Sequence, residues 1–278
     1  MSPFSVSLVL LAAILHAGWN ALVKAADDRA GILAAVSAVH ALTGLALILA
    51  APAPAPESWP MIATSVTLHY GYYLLLFRSY ALGDLSQVYP ISRGLAPALV
   101  ALSAVVLIGE TMPPAGWLGI CLVSLGVGLL AFRRGTVRAP RGAVAFAVCL
   151  GMLISAYSVA DGIGVRNSGS LFGYIGWLFL LEFPVPLTVA LMRHRGGGVI
   201  APEVLLLGAA GGLFAVTAYG IVLYVKTISP LGAVSAVRES SVIFAALIGI
   251  CVFRERPVAD RLIAATVVAA GVITIALA

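Results

Sequence analysis

Residues 83–110 read GDLSQVYPISRGLAPALVALSAVVLIGE, and residues 228–255 read ISPLGAVSAVRESSVIFAALIGICVFRE. Each is a long apolar run with one arginine inside it and a glutamate at its end. At a constant shift of 145 residues Arg93 meets Arg238, Glu110 meets Glu255 and, further on, Gly126 meets Gly271. Internal repeats fix architecture before local detail does. This one divides the chain into residues 1–132, a linker at 133–141 and residues 142–278. In the first copy Asp84 and Gln87 are spaced as a capping box. In the second, Ser229-Pro230 reads as a cap followed by a first-turn proline.

Composition sets the solvent. Of 278 residues, 62% are hydrophobic and 10% charged, with a mean hydropathy of +1.09. A soluble domain carries roughly 25% charged residues, so the surface of this chain must face lipid. The net charge of +5 is scattered through short loops, which argues against a nucleic-acid partner. Cys121, Cys149 and Cys251 each sit in an apolar run and read as small buried hydrophobes, with no disulfide framework. The opening MSPFSVSLVLL lacks a basic stretch and a small-residue cleavage site, and reads as a retained first helix.

A membrane-crossing helix needs about 20 apolar residues. Ten such runs fit, at about 4–24, 30–50, 60–80, 84–108, 114–132, 142–163, 170–192, 203–225, 230–253 and 258–277. The fold class expected is therefore all-α, with ten transmembrane helices in two five-helix repeats. An odd number of spans per half makes the second half run upside down relative to the first, an arrangement that places a substrate site at the interface of the halves. APAPAPESWP at 51–60 is a break, because its prolines lack amide hydrogens. Of the 16 Lys and Arg residues, only Arg166 and Lys226 fall in even-numbered loops and only Arg93 and Arg238 inside spans. The excess in odd-numbered loops favours those loops in the cytoplasm and both termini outside.

The stretches YPISRGLAPALVALSAVVLIGE and PPAGWLGICLVSLGVGLLAF resemble the EamA domain of the drug/metabolite transporter superfamily. HAGWNALVKAADDR, residues 16–29, resembles the opening of one branch of it, and SAVRESSVIFAALIGICVFRERP matches in the second half. The resemblance implies a ten-helix permease of the inner membrane. Its central cavity would be lined mainly by helices one, three, four, six, eight and nine. It also implies both termini in the cytoplasm, against the loop charges. It does not extend to Arg93 and Arg238, which are not general features of the family.

Polar residues within spans are the candidate site, since a charge at the bilayer centre costs about 2.5–3.5 kcal/mol on insertion scales. Arg93, with Tyr89 one turn before it, reads either as a cavity arginine for a substrate anion or as a structural ion pair. Arg238 is its counterpart, with Ser235 and Ser241 three residues to either side. Glu239 points about 100° away from Arg238. It can neutralise an arginine across the interface or carry a proton, and Asp161 is a second proton candidate. His16, Asn20 and Lys24, with Trp19 alongside, form a polar stripe on the first span. Tyr70 and Tyr73 on the third, Tyr157 on the sixth and Tyr219 on the eighth are further cavity candidates. His40 reads as structural, and Glu182 as pairing with a neighbouring helix rather than lining a pathway. Glu110 and Glu255 read as structural helix ends.

No phosphate loop, metal-ligand spacing or nucleophile elbow occurs, so no cofactor or metal is expected. The three histidines at 16, 40 and 69 are too dispersed in depth for an enzyme site. The function expected is a secondary transporter of a small organic metabolite, anionic or zwitterionic, driven by the substrate gradient or by proton exchange. A flippase for a lipid-linked sugar is the alternative. Expected partners are the substrate and membrane lipid, with the oligomeric state left open.

Overall fold

The computed structural model describes residues 1–82, 85–132, 141–193, 200–256 and 258–278, with side chains described outside 76–89, 132–141, 193–199 and 257. The first helices are α1 (Pro3–Ala25), α2 (Arg29–Ala50), α3 (Trp59–Leu82), α4 (Leu85–Ile108), α5 (Pro114–Leu129) and α6 (Arg141–Arg166). They are followed by α7 (Leu171–Glu182), α8 (Pro184–Arg193), α9 (Pro202–Ile228), α10 (Leu231–Arg238), α11 (Ser241–Cys251) and α12 (Val258–Leu277). Only helices satisfy their own backbone in lipid without closing a barrel.

Among the described residues, eight stretches are long and apolar enough to cross a membrane. They are α1, α2, α6, α9, α12, most of α4, and the composite stretches Leu171–Met192 and Leu231–Cys251. The protein is thus an all-α, multi-pass membrane protein. Of the other two expected spans, α5 has 16 residues and α3 ends among residues whose side chains are not described. The capping box at Asp84 and the linker at 133–140 lie outside the described residues.

Two expected spans are each broken once. The break between α7 and α8 falls at Phe183, before Pro184 and Pro186, which donate no backbone hydrogen bond. The break between α10 and α11 contains no proline. There the backbone tightens to three-residue spacing: Glu239 N–H donates to Ala236 and Ser240 N–H to Val237, both at 3.0 Å. By contrast α4 remains a single helix through Pro90 and Pro97.

The two glutamate-terminated helices end alike. Gly109 has φ of 65° and Arg254, 145 positions later, has φ of 51°. The next residue in each case bonds six residues back, Glu110 N–H to Ala104 at 3.2 Å and Glu255 N–H to Gly249 at 2.9 Å. A left-handed residue lets the chain turn back on the last carbonyls, here reaching one residue further than the Schellman bond does. The glutamates then act as staples. Glu110 Oε1 pairs with Arg166 at 2.8 Å, and its Oε2 accepts the Leu231 N–H at 2.8 Å. Arg166 in turn donates to the carbonyls of Lys226 and Ser229, each at 2.8 Å, and so closes the end of α9. Glu255 pairs with Lys24 and, at 2.6 Å, with Arg261.

This overturns the expected Ser229 cap. Ser229 ends α9, Pro230 precedes α10 without a side-chain cap, and Glu110 from another helix satisfies the first amide. A carboxylate makes a stronger, charge-assisted bond than a hydroxyl does. Ser229 instead donates its hydroxyl to Ser5 at 3.0 Å.

Helices pack through small residues, as expected where lipid removes the hydrophobic drive between helices. The most extensive contact is α5 with α12, and α1 with α9, α3 and α4 with α6, and α2 with α7 and α9 follow. A Cβ on Gly271 would stand 2.7 Å from the Gly119 carbonyl oxygen, and one on Gly119 would stand 2.8 Å from that of Gly271. The backbones of α5 and α12 therefore touch directly. Gly208 and Gly212 serve the α9–α2 contact in the same way, against Ala35 and Val39. The outer surface carries leucines such as Leu42, Leu49 and Leu206, all more than two-thirds exposed. The three cysteines, expected to be buried, are exposed on this surface. In a lipid-facing surface an apolar sequence context no longer implies burial.

Two substitutions test these readings by thermal melting in detergent. Gly271→Ala should lower stability by about 1–3 kcal/mol, the usual cost of overpacking, because its obstacle is backbone. Arg254→Gly should raise it by up to about 1 kcal/mol, since a left-handed residue with a Cβ is strained.

Candidate functional site

A cavity of about 240 Å³ lies among the helices. From α1 it takes His16, Trp19, Asn20 and Val23, in the helix's second half. Val6, Val9 and Ala12, in the first half, are instead buried in a core with Val222 and Val225 of α9 and Val234 and Val237 of α10. The cavity thus occupies the end of the bundle where α1 finishes and α2 begins, and the opposite end is packed shut.

Arg93 and Arg238 both line this cavity. Arg93 is 4% exposed, and Glu239 opposite it 2%. Arg93 Nε donates to Glu239 Oε2 at 3.0 Å, and Nη2 stands 2.9 Å from Oε1. That two-point match fixes the relative position of α4 and the α10–α11 break. Glu239 therefore neutralises an arginine across the helix contact. Arg238, one residue earlier, has no carboxylate partner among the described residues. Its guanidinium stacks over the Tyr219 ring, 5.4 Å from the centroid, a cation–π contact that leaves its fork of donors unoccupied.

The α1 stripe divides. Trp19 Nε1 donates to His16 Nδ1 at 3.2 Å, and the Asn20 amide donates to the His16 carbonyl at 2.7 Å. Lys24 leaves the cavity wall for Glu255 and for the face of Phe253, 4.8 Å from its centroid.

An aromatic cluster forms the far wall. On α3, His69, Tyr72 and Tyr73 face the cavity. These share one helical face at spacings of three and four, whereas Tyr70, a quarter-turn away, turns its hydroxyl to the Leu181 carbonyl instead. His69 stacks on Tyr157 of α6 at 3.9 Å. Tyr157 and Tyr219 both line the cavity. Behind Tyr219, Asp161 is wholly buried and accepts the Tyr219 hydroxyl and, at 3.2 Å, that of Tyr174. Lys226, also wholly buried, donates to the Ser158 carbonyl at 2.8 Å and hydroxyl at 3.1 Å.

The cavity wall thus gathers Arg93, Arg238, His16, Trp19, Asn20, Tyr73, Tyr157 and Tyr219. Tyr70 and Ser241 lie off it, Ser241 buried at the start of α11. The Tyr89 side chain lies outside the described residues. Two helices absent from the expected lining contribute: α2 through Leu33, Val36, Ser37 and His40, and the α7–α8 break through Phe179, Glu182, Phe183 and Pro186. Glu182 both bonds a neighbouring helix, through Tyr73 at 2.8 Å, and lines the cavity. The signal for it was present, since a carboxylate directly before Phe-Pro-Val-Pro ends a helix inside a span. Among the described residues no three His, Cys, Asp or Glu side chains come together as metal ligands.

Comparison with known proteins agrees with this geometry. Residues 3–132 match the EamA-like transporter family. An "Uncharacterized transporter in cobO 3'region" of Sinorhizobium sp is 32% identical over 101 residues, which cover 36% of this chain and 69% of that protein. A solved crystal structure that is 17% identical covers 100% of this chain and 98% of its own with a TM-score of 0.78, a likeness of fold. An apolar helical bundle enclosing a polar cavity, and a relative matched over two-thirds of its length, lead to one conclusion: the chain belongs to the EamA-like transporter family of the drug/metabolite transporter superfamily, whose members move small molecules across membranes.

Proposed function

We propose that this chain is a ten-span secondary transporter of the inner membrane, built of two inverted five-helix repeats. Its substrate is a small organic metabolite with an anionic group, and alternating access moves it through the cavity between the halves. The observation that carries the substrate reading is Arg238, a cavity guanidinium whose donors have no acid to meet among the described residues. A carboxylate or phosphonate is the planar or oxygen-rich partner that such a fork accepts. The volume of about 240 Å³ suits an amino acid or sugar acid better than a lipid-linked sugar.

The repeat reading has support of its own. Exchanging α1–α5 for α6, α7–α8, α9, α10–α11 and α12 turns the α1–α9 contact into the α6–α3 contact, and leaves α5–α12 and α4–α10 as they are. All of these contacts exist. The closures at Glu110 and Glu255 repeat the relation in the backbone. Energy comes from the substrate gradient or from proton exchange.

Reconstituted protein should move labelled compounds drawn from amino acids, sugar acids and phosphonates. Arg238→Ala should weaken carboxylate-bearing substrates about 10- to 100-fold, the value of a lost charge-assisted hydrogen bond of about 1.5–3 kcal/mol. Transport unchanged by this substitution would sink the arginine reading. Arg93→Ala should behave differently. It strands Glu239 in the interior and should lower stability by about 3–5 kcal/mol, visible as a large fall in melting temperature that Arg238→Ala does not share.

A further inference from the structure

Glu182 is the last residue of α7 and is 6% exposed. Its Oε1 accepts the Tyr73 hydroxyl at 2.8 Å and lies 3.8 Å from His69 Nε2. Its Oε2 is buried with no hydrogen-bond partner among the described residues. In the next turn Pro184 and Pro186 lack amide hydrogens, and the amides of Phe183 and Leu187 donate to the carbonyls of Phe179 and Phe183. An ionised carboxylate left this way in a bilayer is disfavoured by its lost hydration.

His69 limits how that penalty is relieved. Its Nδ1 stands 2.9 Å from the Ser65 carbonyl oxygen and 3.2 Å from the Ser65 hydroxyl. In the tautomer that donates Nδ1–H to the nearer carbonyl, neutral His69 turns the lone pair of Nε2 toward Glu182. Two acceptors face each other, and one proton between them resolves the repulsion, as a carboxylic acid or as an imidazolium beside a carboxylate.

The other ionisable groups around Glu182 do not take that part. Tyr70 and Tyr73 of α3, Tyr157 of α6, Tyr174 of α7 and Tyr219 of α9 are hydroxyls, and His40 of α2, whose Nδ1 likewise bonds a carbonyl at 2.9 Å, makes no contact with Glu182 like that of His69 among the described residues. Of the cavity arginines, Arg93 is paired with Glu239 and Arg238 stacks on Tyr219. Asp161, on α6, has both oxygens occupied by tyrosines.

We propose that Glu182 and His69 together form the proton-binding site of this protein, taking a proton from water in the open cavity. On the transporter reading, on which this part rests, closing the cavity removes water from Glu182 Oε2, so the pair carries its proton through the closed state and transport is coupled to pH. Glu239, with both oxygens engaged by Arg93, holds its helices together rather than exchanging protons.

Two measurements separate the proton site from the transport reading. The first needs no substrate: infrared difference spectra of the purified protein between acid and alkaline pH. A buried carboxylic-acid band should titrate in the wild type, vanish in Glu182→Gln, shift its midpoint in His69→Gln and persist in Glu239→Gln. The glutamine keeps the bond to Tyr73, so the fold is retained. A band unchanged by Glu182→Gln overturns the proposal. The second uses proteoliposomes and the compounds named above. Glu182→Gln should abolish the dependence of exchange on pH and lose accumulation driven by a pH gradient. Gradient-driven accumulation at the wild-type level in Glu182→Gln also overturns it. If wild-type protein moves none of the compounds, the transport reading of the cavity fails, while the infrared result still decides the proton site.

Discussion

An arginine buried as fully as Arg93 in a bilayer-spanning bundle needs a carboxylate positioned to receive it, and its bond with Glu239 meets that need. Its consequences reach well beyond two side chains. Glu239 sits in the tightened turn between α10 and α11, so the ion pair and the helix break belong to one arrangement. Glu239 turns to Arg93, while Arg238 turns to the cavity and the ring of Tyr219.

The ends of the bundle follow the same logic on its periphery. Glu110 and Glu255 each close a helix and reach for basic residues on other helices. Arg166 answers the first and adds its own bonds to the carbonyls that finish α9. The Glu110 and Arg166 links satisfy backbone groups that helix ends leave bare. Lipid offers those groups nothing, so charged side chains near the ends take over what water does in a soluble protein.

The sequence made the broad architecture legible because lipid imposes a length on apolar runs. Helices α1, α2, α4 and α12 begin and end within a residue or two of the expected limits. The paired glutamates were legible as helix ends for a similar reason, since a carboxylate after a long apolar run marks a boundary. The rest depended on contacts between distant residues. Nothing near Ser229 announces that Glu110, 121 residues before Leu231, caps the next helix. The α10–α11 break has no proline to announce it and coincides with a tertiary ion pair. Glu182 pairs with a neighbouring helix as read, but it and His40 also reach the cavity wall, because a single sequence does not say which face of α2 or α7 looks inward. On α3 the periodicity did contain the answer: positions 69, 72 and 73 form one face, and Tyr70 does not share it.

The direct backbone contact between α5 and α12 has a mechanical consequence. A joint padded by long side chains can slide as those side chains change rotamer. Gly119 and Gly271 leave no such padding, and each peptide group rests on the other helix. Any rearrangement that opens the closed end of the cavity must therefore carry these two helices as one rigid strut. The bending falls to the helices that already have interrupted ladders, α7–α8 and α10–α11, which bring Glu182 and Arg238 to the cavity wall.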